Sequence, residues 1–226
     1  MDPEKADMTT DTAHHYWDDQ WKTADAGSPW AQAEPWVIDH ACTLAPGSRI
    51  LDLGAGIGRH ALAFAAMGHD VVALDAAGTS AKSIAAASAS KGLTVRTHLA
   101  TMTDLPFEQG AFDHVLSWNV IYHGDETVVR RTLDEVTRVT RGGGTLMATM
   151  LSSRRLPVEQ ARAAGREISR NTWVFDGPGD KVHPHYFCTA TDLLALMPGF
   201  EILTLFDRPH DKPGSWHWHL LAERLG

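Results

Sequence analysis

Three groups of residues in this 226-residue chain have types and spacings that could do chemistry. The first is a glycine turn framed by carboxylates. Asp52, Gly54, Gly56 and Gly58 lie in "ILDLGAGIGRHALAFAAMGHDVVALDAA", and Asp75 closes the apolar run "DVVALD". Glycine lets a backbone approach a ligand that a side chain would hold off. The pattern is G-x-G-x-G, with Arg59 where a dinucleotide fingerprint has its third glycine, and it lacks the Lys-Ser/Thr pair of a phosphate loop. A carboxylate at Asp52 repels a pyrophosphate and suits an ammonium or sulfonium. Asp75, at the next strand end, can accept hydrogen bonds from both ribose hydroxyls. The turn fits a nucleoside with a cationic amino-acid arm and no phosphate.

The second group is histidines: His123 in "SWNVIYHGD", His183 and His185 in "HPHYF", and His210, His217 and His219 in "RPHDKPGSWHWHL". If "WHWHL" is a strand, His217 and His219 share one face, and Trp216, Trp218 and Leu220 share the other. Such histidines could form a polar acceptor pocket with one acting as base near neutral pH. They could equally ligate a divalent metal, or form a satisfied sheet surface with the tryptophans facing the core. The third group is aromatic: Tyr16, Trp17, Trp21, Trp30 and Trp36, all near the N-terminus. Rigid aromatics exclude water and can hold a cationic or apolar molecule. We place Tyr16, Trp17 and Trp30 toward the site and Trp36 toward the core.

These groups need a scaffold. Apolar runs of strand type ("RILDLG", "DVVALD", "LTVRTHL", "GAFDHVLSWNV", "TLMATML") alternate with helical segments that stop at glycines. That rhythm predicts a doubly wound α/β sheet. Residues 1–13 read as disordered and 14–226 as one domain. Within it, 14–44 is an aromatic lid and 152–188 an irregular, substrate-side insert with a helix over 157–169. On that helix Arg162, Arg166 and Arg170 would line one face, salt-bridged to Glu159 and Glu167. Two strands, "GFEILTLFDR" and "GSWHWHLLAER", close the chain as antiparallel neighbours. The net charge of −8 argues against a nucleic-acid partner. No long apolar run argues for a membrane partner, and Cys42 and Cys188 form no CxxC, so a cytoplasmic protein is expected, as a monomer or homodimer.

Residues 49–77, followed by "MTDLPFEQGAFDHVL", resemble the class I S-adenosylmethionine-dependent methyltransferases, most closely their small-molecule branch of tellurite-resistance and thiopurine or thiol type. The resemblance implies a Rossmann-like sheet of seven strands in the order 3-2-1-4-5-7-6, with strand 7 antiparallel. It also implies S-adenosyl-L-methionine as cofactor and S-adenosyl-L-homocysteine as product. Gly54 and Gly56, with Ala55 between them, would lie along the methionine part. Asp52 would sit near its amino group, and Asp75 would hold the ribose, with Ala76 beside it. Aligning on "DLPF" puts Thr101 where the family usually has an acid for the adenine amino group, with Met102 alongside. Asn119 and Trp30 complete the cofactor set. Tyr16, Trp17, Tyr122, His183, His217 and His219 would meet a small-molecule acceptor, and His123 and His185 are the candidate bases. The chain lacks the Asn/Asp-Pro-Pro-Tyr arrangement used on planar amino groups, which argues against base N-methylation. Oxygen, sulfur or nitrogen acceptors all remain open, a metalloid oxyanion among the alternatives, as does a cofactor-binding protein without methyl transfer. Most simple methyl transfers need no metal, so none is assigned.

Overall fold

The computed structural model describes residues 10–24, 27–210 and 212–226. Strands β1 (Arg49–Leu53), β2 (Asp70–Asp75), β3 (Arg96–Leu99), β4 (Phe112–Ser117) and β5 (Thr140–Ser152) form a parallel sheet ordered 3-2-1-4-5. The last strand of the chain, β10 (Trp216–Arg224), lies antiparallel to β5, and β9 (Phe200–Pro209) closes that edge antiparallel to β10. These seven strands have the order that the resemblance implies.

Side-chain alternation explains why the sheet is covered on both faces. In β1, Leu51 and Leu53 face one core with Val72, Leu74, Leu146 and Ala148, while Ile50 faces the other with Val71, Ala73 and Met147. Strands buried on both faces read as continuous apolar runs, as these do. Helices α3 (Arg59–Ala66), α4 (Gly78–Lys91) and α5 (Glu126–Val139) make the crossovers. In α5 the Asp125 side chain accepts from Val128 N at 3.0 Å, capping the first turn. Val129, Leu133, Val136 and Val139 give that helix one buried stripe. Among the described residues, no helix is long and apolar enough to cross a membrane.

The insert after β5 is more regular than its composition suggests. Helix α6 (Leu156–Arg162) takes only the first part of the helix expected over 157–169. The chain then forms the hairpin β6 (Gly165–Ser169) and β7 (Thr172–Phe175), with Asn171 in the turn at φ 61°. Strand β8 (His185–Cys188) pairs with β7 and also, in parallel, with Leu151 and Ser152 at the end of β5. The proposed arginine face is therefore broken. Arg162 ends α6, Arg166 lies in β6, and Arg170 reaches from the turn to Asp192 at 2.8 Å. A four-residue spacing also fits alternate positions of a strand, and the apolar pattern of "TWVF" decides for the hairpin.

The N-terminus also differs from expectation. Residues 1–9 lie outside the described residues, but residues 10–13, expected to be disordered, are docked. Asp125 N donates to Thr10 Oγ1 at 2.9 Å, Thr12 Oγ1 meets His183 Nδ1 at 2.9 Å, and Ala13 is buried at the start of α1 (Ala13–Trp21). Helix α2 (Pro35–Ala41) then leads into β1.

Candidate functional site

A pocket opens at the carboxyl ends of β1, β2 and β4, where ligands bind in doubly wound sheets. Its floor is the glycine turn. Gly54 and Gly56 both have left-handed φ, at 75° and 55°, and Leu74 O accepts from Gly54 N and Ala55 N at 2.7 and 3.0 Å. A Cβ at Gly54 would collide with Val120, and one at Gly56 would stand 2.9 Å from the Trp21 ring. The turn is thus a cradle that only glycine leaves open.

Asp75 lies on the pocket wall, where Oδ2 accepts from Gly56 N at 2.7 Å and Oδ1 from Ala77 N at 2.8 Å. A carboxylate has about four acceptor sites, so both oxygens keep capacity for a diol. Burial raises the Asp75 carboxyl, and the two backbone N–H groups oppose that rise. Asp52 is placed differently from the expectation. It lies beneath the turn, off the pocket wall, accepting from Ala61 N at 3.0 Å in the first turn of α3. Burial pushes its carboxyl up to about 7. Its side chain points back under the helix because the turn has already left the sheet at Gly54.

Ala76, Met102 and Asn119 line the same pocket. Asn119 is held at φ 65° by Thr149, whose hydroxyl accepts from Asn119 N at 2.8 Å and donates to Asn119 Oδ1 at 3.1 Å. Thr101 is exposed and its hydroxyl meets Thr103 at 3.2 Å, so Thr101 does not line the pocket. The loop after β3 turns Met102 inward instead.

The aromatic segment caps the pocket. Trp17 and Trp21 stack at 5.0 Å, and Trp30 meets them edge-on at 5.3 and 6.2 Å. Asp18 fastens the cap to α4: its Oδ1 accepts from Thr79 N at 2.8 Å and from Thr79 Oγ1 at 3.0 Å. Tyr16 stands behind Trp17, off the pocket wall, and Trp36 packs on Trp118 and Phe206. Sequence reasoning left out His14 and named Trp21 without placing it toward the site, yet both line the pocket with Trp17. The signal was available, since positions 14, 17 and 21 share one helical face.

The histidines separate into two buried groups on either side of Tyr122, whose ring is 4.8 Å from His123, 5.8 Å from His185 and 5.9 Å from His217. His123 lines the pocket, and it pairs with His185 through an isolated β-bridge. Asp180, on a short 3-10 turn, joins them at 3.7 Å from His123 Nε2 and 3.2 Å from His185 Nε2. Burial would raise the Asp180 carboxyl, but the histidines and Lys181 around it hold it well below its usual range. His185 is fully buried off the pocket wall, and burial pushes it down to about 4, which makes it a poor base near neutral pH. Asp180 escaped sequence reasoning because "DGPGDKV" reads as a solvated loop.

In the other group His217 and His219 share one face of β10, as expected, but that face is buried, with the His210 ring packed at a tilt 3.9 and 4.7 Å from theirs. Arg155 Nη1 contacts His217 Nε2 at 3.1 Å, and Glu159 Oε1 accepts from Arg155 Nε at 2.6 Å. Burial pushes His210 and His219 down to about 4 and about 3, and His217 lower still. Tyr122, His183, His217 and His219 are all off the pocket wall, with Trp118 lining it in front of His219 at 5.4 Å.

Residues 50–144 match the family model described as a methyltransferase domain. The chain is 35% identical over 127 residues to a demethylmenaquinone methyltransferase of Clavibacter sepedonicus, covering 54% of this chain and 50% of that protein. An uncharacterized protein of Mycobacterium tuberculosis is 33% identical over 111 residues, 49% of this chain and 39% of its own length. The chain thus spans half or less of the curated relatives it matches. Among solved structures, a SAM-dependent methyltransferase from Methanosarcina mazei superposes with a TM-score of 0.73 at 20% identity, over 86% of this chain and 99% of that one. The 1,6-didemethyltoxoflavin-N1-methyltransferase of Burkholderia thailandensis, solved with bound 1,6-didemethyltoxoflavin and S-adenosylhomocysteine, gives a TM-score of 0.67 at 19% identity over 95% of this chain and 84% of that one.

Proposed function

We propose that the chain is an S-adenosylmethionine-dependent methyltransferase acting on a small-molecule acceptor, a reading supported by the match of residues 50–144 to the methyltransferase-domain model and by the shared fold. The observation that carries this reading is the open glycine cradle at Gly54 and Gly56 with the Asp75 carboxylate on its wall. The residues present fit S-adenosyl-L-methionine: the backbone cradle takes the methionine part, Asp75 the ribose hydroxyls, and Met102 an apolar flank of the adenine. When bound, this cofactor supplies a methyl group on a positively charged sulfur.

The chain's own residues then position and exclude. Trp17, Trp21 and Trp30 close the pocket against water, and their faces suit a sulfonium. Asn119 and His123 stand on the wall between the cradle and the insert, so the acceptor's oxygen, nitrogen or sulfur is presented there. Of the two candidate bases, only His123 reaches that wall.

Calorimetry with S-adenosyl-L-methionine tests the reading. We expect one site per chain, with affinity weakened about 10- to 100-fold in Asp75→Ala, the equivalent of about 1–3 kcal/mol for the lost charge-assisted bonds. Equal binding by the wild type and Asp75→Ala, or no binding by either, would overturn it.

A further inference from the structure

We propose that His123, Asp180 and His185 form a binding site for a divalent first-row transition-metal ion at the acceptor side of the pocket. Their ligand atoms, two imidazole nitrogens and a carboxylate oxygen, all lie within 4.8 Å of one another. The three residues come from distant parts of the chain: the segment after β4, the 3-10 turn of the insert, and the start of β8. The β-bridge between His123 and His185 and the bond from Gly124 N to Pro184 O at 3.0 Å fix their relative register.

Two observations point to a ligand independently of the clustering. His185 Nδ1 lies 2.8 Å from the His183 carbonyl and Nε2 lies 3.2 Å from Asp180 Oδ2; both partners are acceptors, so a neutral ring that donates from Nδ1 leaves Nε2 as a ligand atom facing the carboxylate. Donation of the far ring N–H to a backbone carbonyl is how metal-bound histidines are oriented. His123 Nε2 is buried, in a side chain only 8% exposed, and has no hydrogen-bond partner among the described residues; it faces the same carboxylate oxygen at 3.7 Å. Two imidazole Nε2 atoms thus face one carboxylate oxygen, and a cation between them satisfies all three groups. The other cation nearby, Lys181, approaches the opposite oxygen, with Nζ 3.4 Å from Asp180 Oδ1.

Two imidazoles and one carboxylate select zinc, iron, cobalt, nickel or manganese over the oxygen-loving magnesium and calcium. Bonds of about 2.0–2.2 Å require ligand atoms roughly 3–3.5 Å apart. His185 and Asp180 are already so placed, and rotation of the His123 side chain closes the rest. Three protein ligands leave positions open, and His123 is the ligand on the pocket wall, so the open positions can take the acceptor's heteroatom. That last step rests on the methyl-transfer reading; the metal site does not.

The test is titration of the full-length, tag-free chain with Co²⁺, followed by visible absorption and by metal-to-protein stoichiometry after dialysis. We expect one Co²⁺ per chain with d–d bands, displaced by Zn²⁺, and a rise in the unfolding temperature on loading. Asp180→Asn and His123→Ala should each weaken binding ~100-fold or more, while His98→Ala, on β3, should leave it unchanged. Absence of stoichiometric Co²⁺ binding by the wild type overturns the proposal; His185 and Asp180 would then be a plain ion pair. Undiminished binding by Asp180→Asn overturns it too, and His123→Ala decides if Asp180→Asn does not fold. S-adenosyl-L-methionine binding, measured on the same sample, separates failure of this site from failure of the functional reading.

Discussion

The two sides of the pocket are built in opposite ways. The cradle side comes from one continuous stretch, β1 through β2, held by the Leu74 carbonyl and by the Asp52 and Asp75 carboxylates on nearby backbone N–H groups. The histidine side gathers His123, Asp180, His185 and His217 from segments that meet only through the insert and β10. The cradle side relies on backbone conformation and tolerates little change. The histidine side relies on pairing of side chains, and its weak points are charges.

The sharpest way to break this contrast is at Gly54. Gly54→Ala meets both a left-handed φ and a collision with Val120, and should cost about 3–5 kcal/mol in denaturant unfolding. Val120→Ala in the same chain should recover the steric part and leave the backbone part. On the histidine side the matching weak point is Glu159, which holds Arg155 at 2.6 Å where both side chains are largely buried. Glu159→Gln strands that guanidinium and should cost about 3 kcal/mol, whereas changing Glu159 and Arg155 together to apolar residues should cost far less.

Asp52 provides a pH test on the cradle side. Its carboxyl is raised to about 7 in the fold, so the native state binds its proton more tightly than the unfolded chain does. The associated stability is present below about pH 4 and is lost as pH rises toward about 7. Asp52→Asn keeps an acceptor for Ala61 N without the ionisation. Even half of that elevation is worth roughly 2 kcal/mol, so the variant should be more stable than the wild type above pH 7, the gain fading toward pH 4. Melting curves across pH 4–8 would show it; a parallel pH profile for both proteins would show that Asp52 is not raised. The smallest effect is expected at Thr101. Because its side chain faces solvent, Thr101→Ala should change cofactor affinity by less than about two-fold.

The same contrast explains what could be read from the sequence. The cradle was legible because its chemistry and its geometry are local: glycine spacing, a strand before it and an acid at the next strand end. The alternation of elements predicted the doubly wound sheet, and the resemblance to a known family supplied its seven-strand order. The histidine side was legible only as a set of residue types. Nothing local tells that His123 pairs with His185 across a β-bridge, or that Asp180 in a Pro- and Gly-rich loop joins them. The arginine spacing misled for a related reason, since a repeat of four residues suits helix and strand alike, and pairing of β6 with β7 settles it. The burial of His217 and His219 depends on His210 and Phe206 packing on that face of β10.

Helix α1 is held at both ends of the pocket by different partners: Asp18 to Thr79 over the cradle, and Thr12 to His183 beside the histidines. The cap over the pocket is therefore tied to the crossover helix α4 at one end and to the insert at the other, so it bridges two parts of the chain that the sheet itself keeps apart.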